Sequence, residues 1–135
     1  MKKISITVII SFVLVSCFES NAIYFDTNEQ SVVSCNAKGI NRLYIKNDSI
    51  AEVYVLLWNN TLKDPPRYIK LNSLDSNYKI SKGWNNILIT ADDFKLNSFS
   101  SYTIERVRGD ATPYKISVTT GGKGNIIRAV PDKCN

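Results

Sequence analysis

From Ser31 to Val130 the chain is a string of short apolar or alternating runs, cut by turn-forming residues about every ten positions. No stretch of a dozen residues carries the apolar stripe of a helix. The runs are Ser31–Cys35, Arg42–Lys46, Glu52–Trp58, Tyr68–Leu71, Ile87–Thr90, Tyr102–Arg108, Tyr114–Thr120 and Ile126–Val130. Between them stand Asn36 to Gly39, Asn47-Asp48, Asn59-Asn60, Asp64-Pro65-Pro66 and the hairpin signal Gly121-Gly122-Lys123-Gly124-Asn125. Ala91-Asp92-Asp93-Phe94 is long enough for one helical turn and no more. Such a chain has to bury its apolar residues between sheets, and the pattern predicts an all-β fold: an antiparallel, immunoglobulin-like β-sandwich of seven or eight short strands. Alternation also assigns faces. Tyr102, Ile104 and Arg106 share one side of their strand, while Thr103, Glu105 and Val107 share the other. In the next run Ile116 and Val118 point inward, and Lys115, Ser117 and Thr119 point to water.

The amino terminus reads differently. Lys2 and Lys3 precede an apolar segment, Ile4 to Val15, that has the build of a secretory signal and is too short for a stable membrane span. Its end, Leu14-Val15-Ser16-Cys17, resembles the bacterial lipoprotein signal, in which the cysteine becomes the first residue and takes the acyl chains. Several chains anchor firmly where one does not, because each buried methylene contributes about 0.8 kcal/mol. On this reading residues 1–16 are the signal, 17–28 a tether and 29–135 a single β-sandwich domain. Ser20-Asn21-Ala22 offers a second cut, after Ala22, which discards Cys17 and leaves a soluble protein. Both readings export the chain.

Without Cys17, two cysteines remain, Cys35 near the start of the domain and Cys134 beside its last residue. In an oxidising compartment they pair and close a loop of about a hundred residues, worth up to about 4.7 kcal/mol by the chain-entropy argument. The chain has no histidine and no closely spaced cysteine pair, so a Ser-His-Asp or Cys-His catalyst and the common zinc sites have no ligands here. Asp92 and Asp93 are adjacent, a poor geometry for an acid/base pair. Glu105 and Asp110 flank a turn, and no glycine-bracketed acidic loop supports calcium. The sequence therefore predicts no enzyme, no metal and no cofactor. The formal charge of +5 falls to +3 when Lys2 and Lys3 leave with the signal, and the other basic residues are scattered, a pattern that does not call for nucleic acid.

Two features fit a binding surface. Trp58, in Trp58-Asn59-Asn60-Thr61, and Trp84, in Gly83-Trp84-Asn85-Asn86, stand at strand ends beside paired asparagines. Trp58 ends the most apolar run and reads as a core residue. Trp84 sits in a loop, where an indole stacks on a sugar or fills a pocket of a protein partner. Arg67, Arg106 and Arg108 are candidates for charge-assisted contacts to an acidic partner.

A lipoprotein-type signal ending in Cys17, a mature domain of short strands, and Phe94-x-Leu96 followed by Tyr102-x-Ile104 and a strand with Ile116 and Val118 together resemble the type VI secretion immunity lipoproteins of Gram-negative bacteria. The resemblance lies in layout and apolar rhythm over most of the chain. It implies a periplasmic protein, held at the membrane by a lipid on Cys17, that covers the active site of an incoming toxin and catalyses nothing; the chain itself is expected to be a monomer. Gly109-Asp110-Ala111-Thr112-Pro113 makes a turn outside that pattern. Two other classes use exported β-sandwiches: structural or adhesive modules of the cell envelope, and carbohydrate-binding modules, here through Trp84.

Overall fold

The structure, a computed structural model, describes residues 21–109 and 112–135. The signal segment, Cys17, and Asp110 and Ala111 of the Gly109–Pro113 turn lie outside the described residues. Among the described residues ten strands follow one another: β1 (Ile23–Asp26), β2 (Ser31–Ser34), β3 (Arg42–Asn47), β4 (Val53–Trp58), β5 (Tyr68–Lys70), β6 (Tyr78–Lys82), β7 (Ile87–Ile89), β8 (Ser101–Arg106), β9 (Tyr114–Thr120) and β10 (Ile126–Val130). The one helical element among the described residues is a 3-10 turn over Ala91–Asp93, begun by Thr90, whose hydroxyl donates to the Asp93 carboxylate. Every pairing is antiparallel. A three-stranded sheet in the order β1-β2-β5 covers one face of a seven-stranded sheet in the order β10-β9-β8-β3-β4-β6-β7. The fold is thus the all-β antiparallel sandwich that the alternation predicts, with ten strands in place of seven or eight.

Two strands account for the difference, and both have a physical reason. β6 alternates Tyr78, Lys79, Ile80, Ser81, Lys82; its two apolar residues are nearly closed to water, 5% and 4% exposed, because they meet Trp58 and Leu56 across the β4 pairing. Two apolar residues set among Asn, Ser and Asp make a weak signal on their own. β1 corrects the domain boundary: residues 23–26 are not part of a tether. Ile23 and Phe25 are fully buried and pair with Ser34 and Val32 of β2. Four alternating residues directly after a leader read as linker until a second sheet is there to cover them.

The core lies between the sheets. Ile23, Phe25, Val32 and Ile69 of the small sheet pack on Leu43, Ile45, Tyr54, Leu56, Ile80, Tyr102, Ile104, Ile116, Val118 and Ile126 of the large one. β4 sits between β3 and β6 and carries apolar residues on both faces: Tyr54 and Leu56 are buried between the sheets, and Val55 and Leu57 on the outer face are partly buried. Phe94, just after the 3-10 turn, closes one end by setting its ring edge-on to Tyr54 at 4.8 Å. Tyr78 donates its hydroxyl to the Ile40 carbonyl at 2.5 Å, and burial, reinforced by Asp75, pushes that phenol well above its ordinary pKa.

The sandwich is closed along its β1/β10 side. Phe25 N–H meets the Pro131 carbonyl at 3.4 Å, and Cys35, which follows β2, is bonded to Cys134, which follows β10. Such a bond belongs to an oxidising, exported environment. Gln30 adds a third tie. Its side-chain amide donates to the Ile126 carbonyl at 2.8 Å and accepts from the Ile126 N–H at 2.9 Å, so one side chain stands in for a missing rung of strand pairing. The far edge, β7, has no such cover among the described residues, and its Ile87 and Leu88 are 61% and 59% exposed.

Candidate functional site

Among the described residues no second layer covers the outer face of the large sheet. Register places Glu105 of β8, Tyr44 of β3, Val55 of β4, Ser81 of β6 and Leu88 of β7 in one row across it. Trp84 folds back over this row from the turn between β6 and β7. Two positive φ values shape that turn, at Gly83 and Asn86, and the Gly83 N–H is held by the Val53 carbonyl at 2.8 Å. The indole stands edge-on to Tyr44 at 5.4 Å, with the Lys46 ammonium 5.6 Å from its ring and 5.8 Å from the Tyr44 ring. Lys46 is held in turn by Glu105, whose carboxylate it meets at 2.8 Å and which is only 7% exposed.

Trp84 itself remains 62% exposed. An aromatic ring that is fixed in direction yet open to water has already lost the rotamer freedom that binding otherwise removes, so it is ready to act as an anchor. Leu88 stands on the same outer face of the edge strand, in the row of Tyr44, Val55 and Ser81, and the Lys46–Glu105 pair supplies a polar border.

Trp58 takes the other role. Its ring packs edge-on to Tyr78 at 5.0 Å, and its N–H donates to the carbonyls of Asn60 and Lys63, so it fixes the loop after β4.

The three arginines part company. Arg67 and Arg108 line one cleft, of about 370 Å³, together with Lys38, Gly39, Asn41 and Asp64. Residues far apart in sequence meet there because the chain leaving β2, the chain entering β5 and the chain leaving β8 all reach the same end of the sandwich. Arg67 also donates from Nε to the Asn36 carbonyl at 2.9 Å. Arg106 does not reach a partner. It is fully buried behind the cleft, and its guanidinium donates to Ser34 Oγ at 2.9 Å and to the carbonyls of Gly39 and Lys38 at 3.1 and 3.3 Å. This corrects its reading as a contact residue: β8 alternation sends Arg106 inward with Tyr102 and Ile104, where it orders the 34–39 loop that forms the cleft wall. Burial, and Arg108 beside it, hold its pKa below the usual arginine value. Trp84 is not among the residues lining this cleft.

The carboxylates singled out from sequence are spread out. Asp92 and Asp93 stand on the exposed 3-10 turn, and Glu105 is engaged by Lys46. Among the described residues no three His, Cys, Asp or Glu gather as a metal site would require.

A second cleft, of about 520 Å³, opens at the opposite end of β2 and β5. Sequence reasoning missed it, since its walls come from four separate segments, and only the run of lysine, glycine and asparagine in the β9–β10 turn marks its position. No protein family, curated protein or solved structure matches this chain.

Proposed function

We propose that this chain is a non-enzymatic exported binding protein, a periplasmic immunity lipoprotein anchored through Cys17, that neutralises a cell-envelope-targeting toxin by protein–protein contact. The observation that carries the reading is Trp84: an indole 62% open to water, fixed against Tyr44 and Lys46, on the same outer face as the exposed Leu88. That is the anatomy of an interface anchor with a charged rim. Arg67 and Arg108, at the end of the sandwich, supply a second, basic contact region for an acidic partner. A disulfide-tied sandwich presents both at little entropic cost, and the disulfide fits export.

The test is survival. The open reading frame next to this gene is expressed with a periplasmic signal, with and without the present chain. Rescue from killing, lost in Trp84→Ala but not in a Trp58→Phe control, supports an immunity protein working through the outer face. Killing in both strains, or no killing at all, removes the reading. A structural or adhesive envelope module then takes its place, favoured by the uncovered edge strand β7. Self-association of the purified chain at micromolar concentration, measured by light scattering, is its signature.

A further inference from the structure

The 520 Å³ cleft has a floor and a rim of opposite character. Leu71, Phe94, Leu96 and Ile126 form the apolar part, and Gln30, Asn72 and Asn125 add neutral polar groups. The charged residues lining it are Lys95 and Lys123, and no Asp or Glu lines it among the described residues. Among the described residues neither ammonium lies within ion-pair distance of a carboxylate, whereas Lys46, Lys70 and Lys82 all do. Two cations over an apolar floor, with no built-in counter-charge, are complementary to an anion that carries an apolar body.

The walls are set before any ligand arrives. The Lys95 carbonyl accepts the Tyr54 hydroxyl at 2.9 Å, and the Asn97 N–H is held by the Tyr102 hydroxyl at 2.7 Å. Ser98 Oγ donates to the Gly122 carbonyl at 2.9 Å, which ties the 94–98 segment to the β9–β10 turn. Gly124 has φ +78°, and a Cβ there would stand 2.5 Å from the Leu96 carbonyl oxygen, so the two walls touch through a position only glycine fills. Gln30, hooked to Ile126, holds the third side. A cleft held this way loses little freedom on binding.

We infer that this cleft binds a small organic carboxylate with an apolar body, the carboxylate between Lys95 and Lys123 and the body on Leu71, Phe94 and Ile126. The site is independent of the Trp84 face and of the toxin reading.

The probe is 3-phenylpropionate, with its uncharged amide, 3-phenylpropionamide, as the control, each titrated into the ¹⁵N-labelled mature chain and followed by NMR. The expected result is saturable shifts confined to residues 94–96 and 123–126, with the acid binding at least tenfold tighter than the amide. In Lys95→Gln/Lys123→Gln, whose exposed side chains leave the fold intact by the unchanged spectrum elsewhere, the acid falls to the affinity of the amide. Equal affinity of acid and amide overturns the inference. So do shifts centred on Trp84, no saturable shift up to 10 mM, or undiminished binding of the acid to the double variant.

Discussion

Replacing Gln30 isolates what a single side chain contributes when it substitutes for backbone pairing. Its amide makes three hydrogen bonds: to the carbonyls of Thr27 at 2.7 Å and Ile126 at 2.8 Å, and from the Ile126 N–H at 2.9 Å. Ile126 is 1% exposed, so Gln30→Ala strands two backbone groups in the core, each at a cost of about 1–3 kcal/mol. Both residues line the 520 Å³ cleft, and water entering the vacated space recovers part of that cost. The expected loss is about 2–3 kcal/mol, at the lower end of the summed range. A second term acts on the backbone. Gln30 has φ 50°, a left-handed conformation that costs a non-glycine residue about 1–2 kcal/mol. Gln30→Gly loses the same hydrogen bonds as Gln30→Ala but removes the strain, so it should be the more stable of the two by about 1 kcal/mol. Urea unfolding monitored by tryptophan fluorescence, with the disulfide intact, gives both differences. The reasoning fails if Gln30→Ala lies within 0.5 kcal/mol of the parent, or if the glycine variant is the less stable one.

Other expectations follow from the same contacts. Tyr78→Phe keeps the ring against Trp58 and removes the donor to Ile40, costing about 1–2 kcal/mol by urea unfolding. Because Tyr78 has a raised pKa in the folded state, its contribution is whole below the ordinary phenol value of about 10 and is lost as pH rises above it; the stability of the parent therefore falls more steeply between pH 9 and 11 than that of Tyr78→Phe. Cys35→Ser/Cys134→Ser opens a linkage between residues 99 apart and lowers stability by up to about 4.7 kcal/mol, less to the extent that β10 stays paired; parallel melts of the oxidised parent and the variant measure it. Gly124→Ala, strained by φ and pressed on the Leu96 carbonyl, lowers the melting temperature, whereas Gly83→Ala, with open space around it, pays for φ alone and loses less.

The Arg106 outcome shows where sequence and structure divide the information. Its parity on the strand was readable: Tyr102, Ile104 and Arg106 share a face, and that face is the buried one. Its chemistry was not, because a guanidinium enters a core only where carbonyls from another segment wait for it, and Lys38 and Gly39 are far away along the chain. Trp84 was readable as a loop aromatic. That it stays exposed follows from Tyr44 and Lys46, forty positions earlier, holding it on an outer face that no second sheet covers. β1 and β6 are weak in the sequence for the same reason, since an alternation of only four or five residues specifies nothing until a partner strand gives it a register.

What the sequence determined by itself was the class of fold, the inward and outward faces of its longer strands, and the pair of cysteines at the domain's two ends. These depend on a two-residue period and on counting, which are local properties. The tertiary structure alone decided the division into three and seven strands, the burial of Arg106, the Gln30 hook onto Ile126 and the two clefts at opposite ends. Each of these joins groups that are distant along the chain. Whether such groups meet depends on strand order and register, and those are set by the packing of the whole core rather than by any one segment.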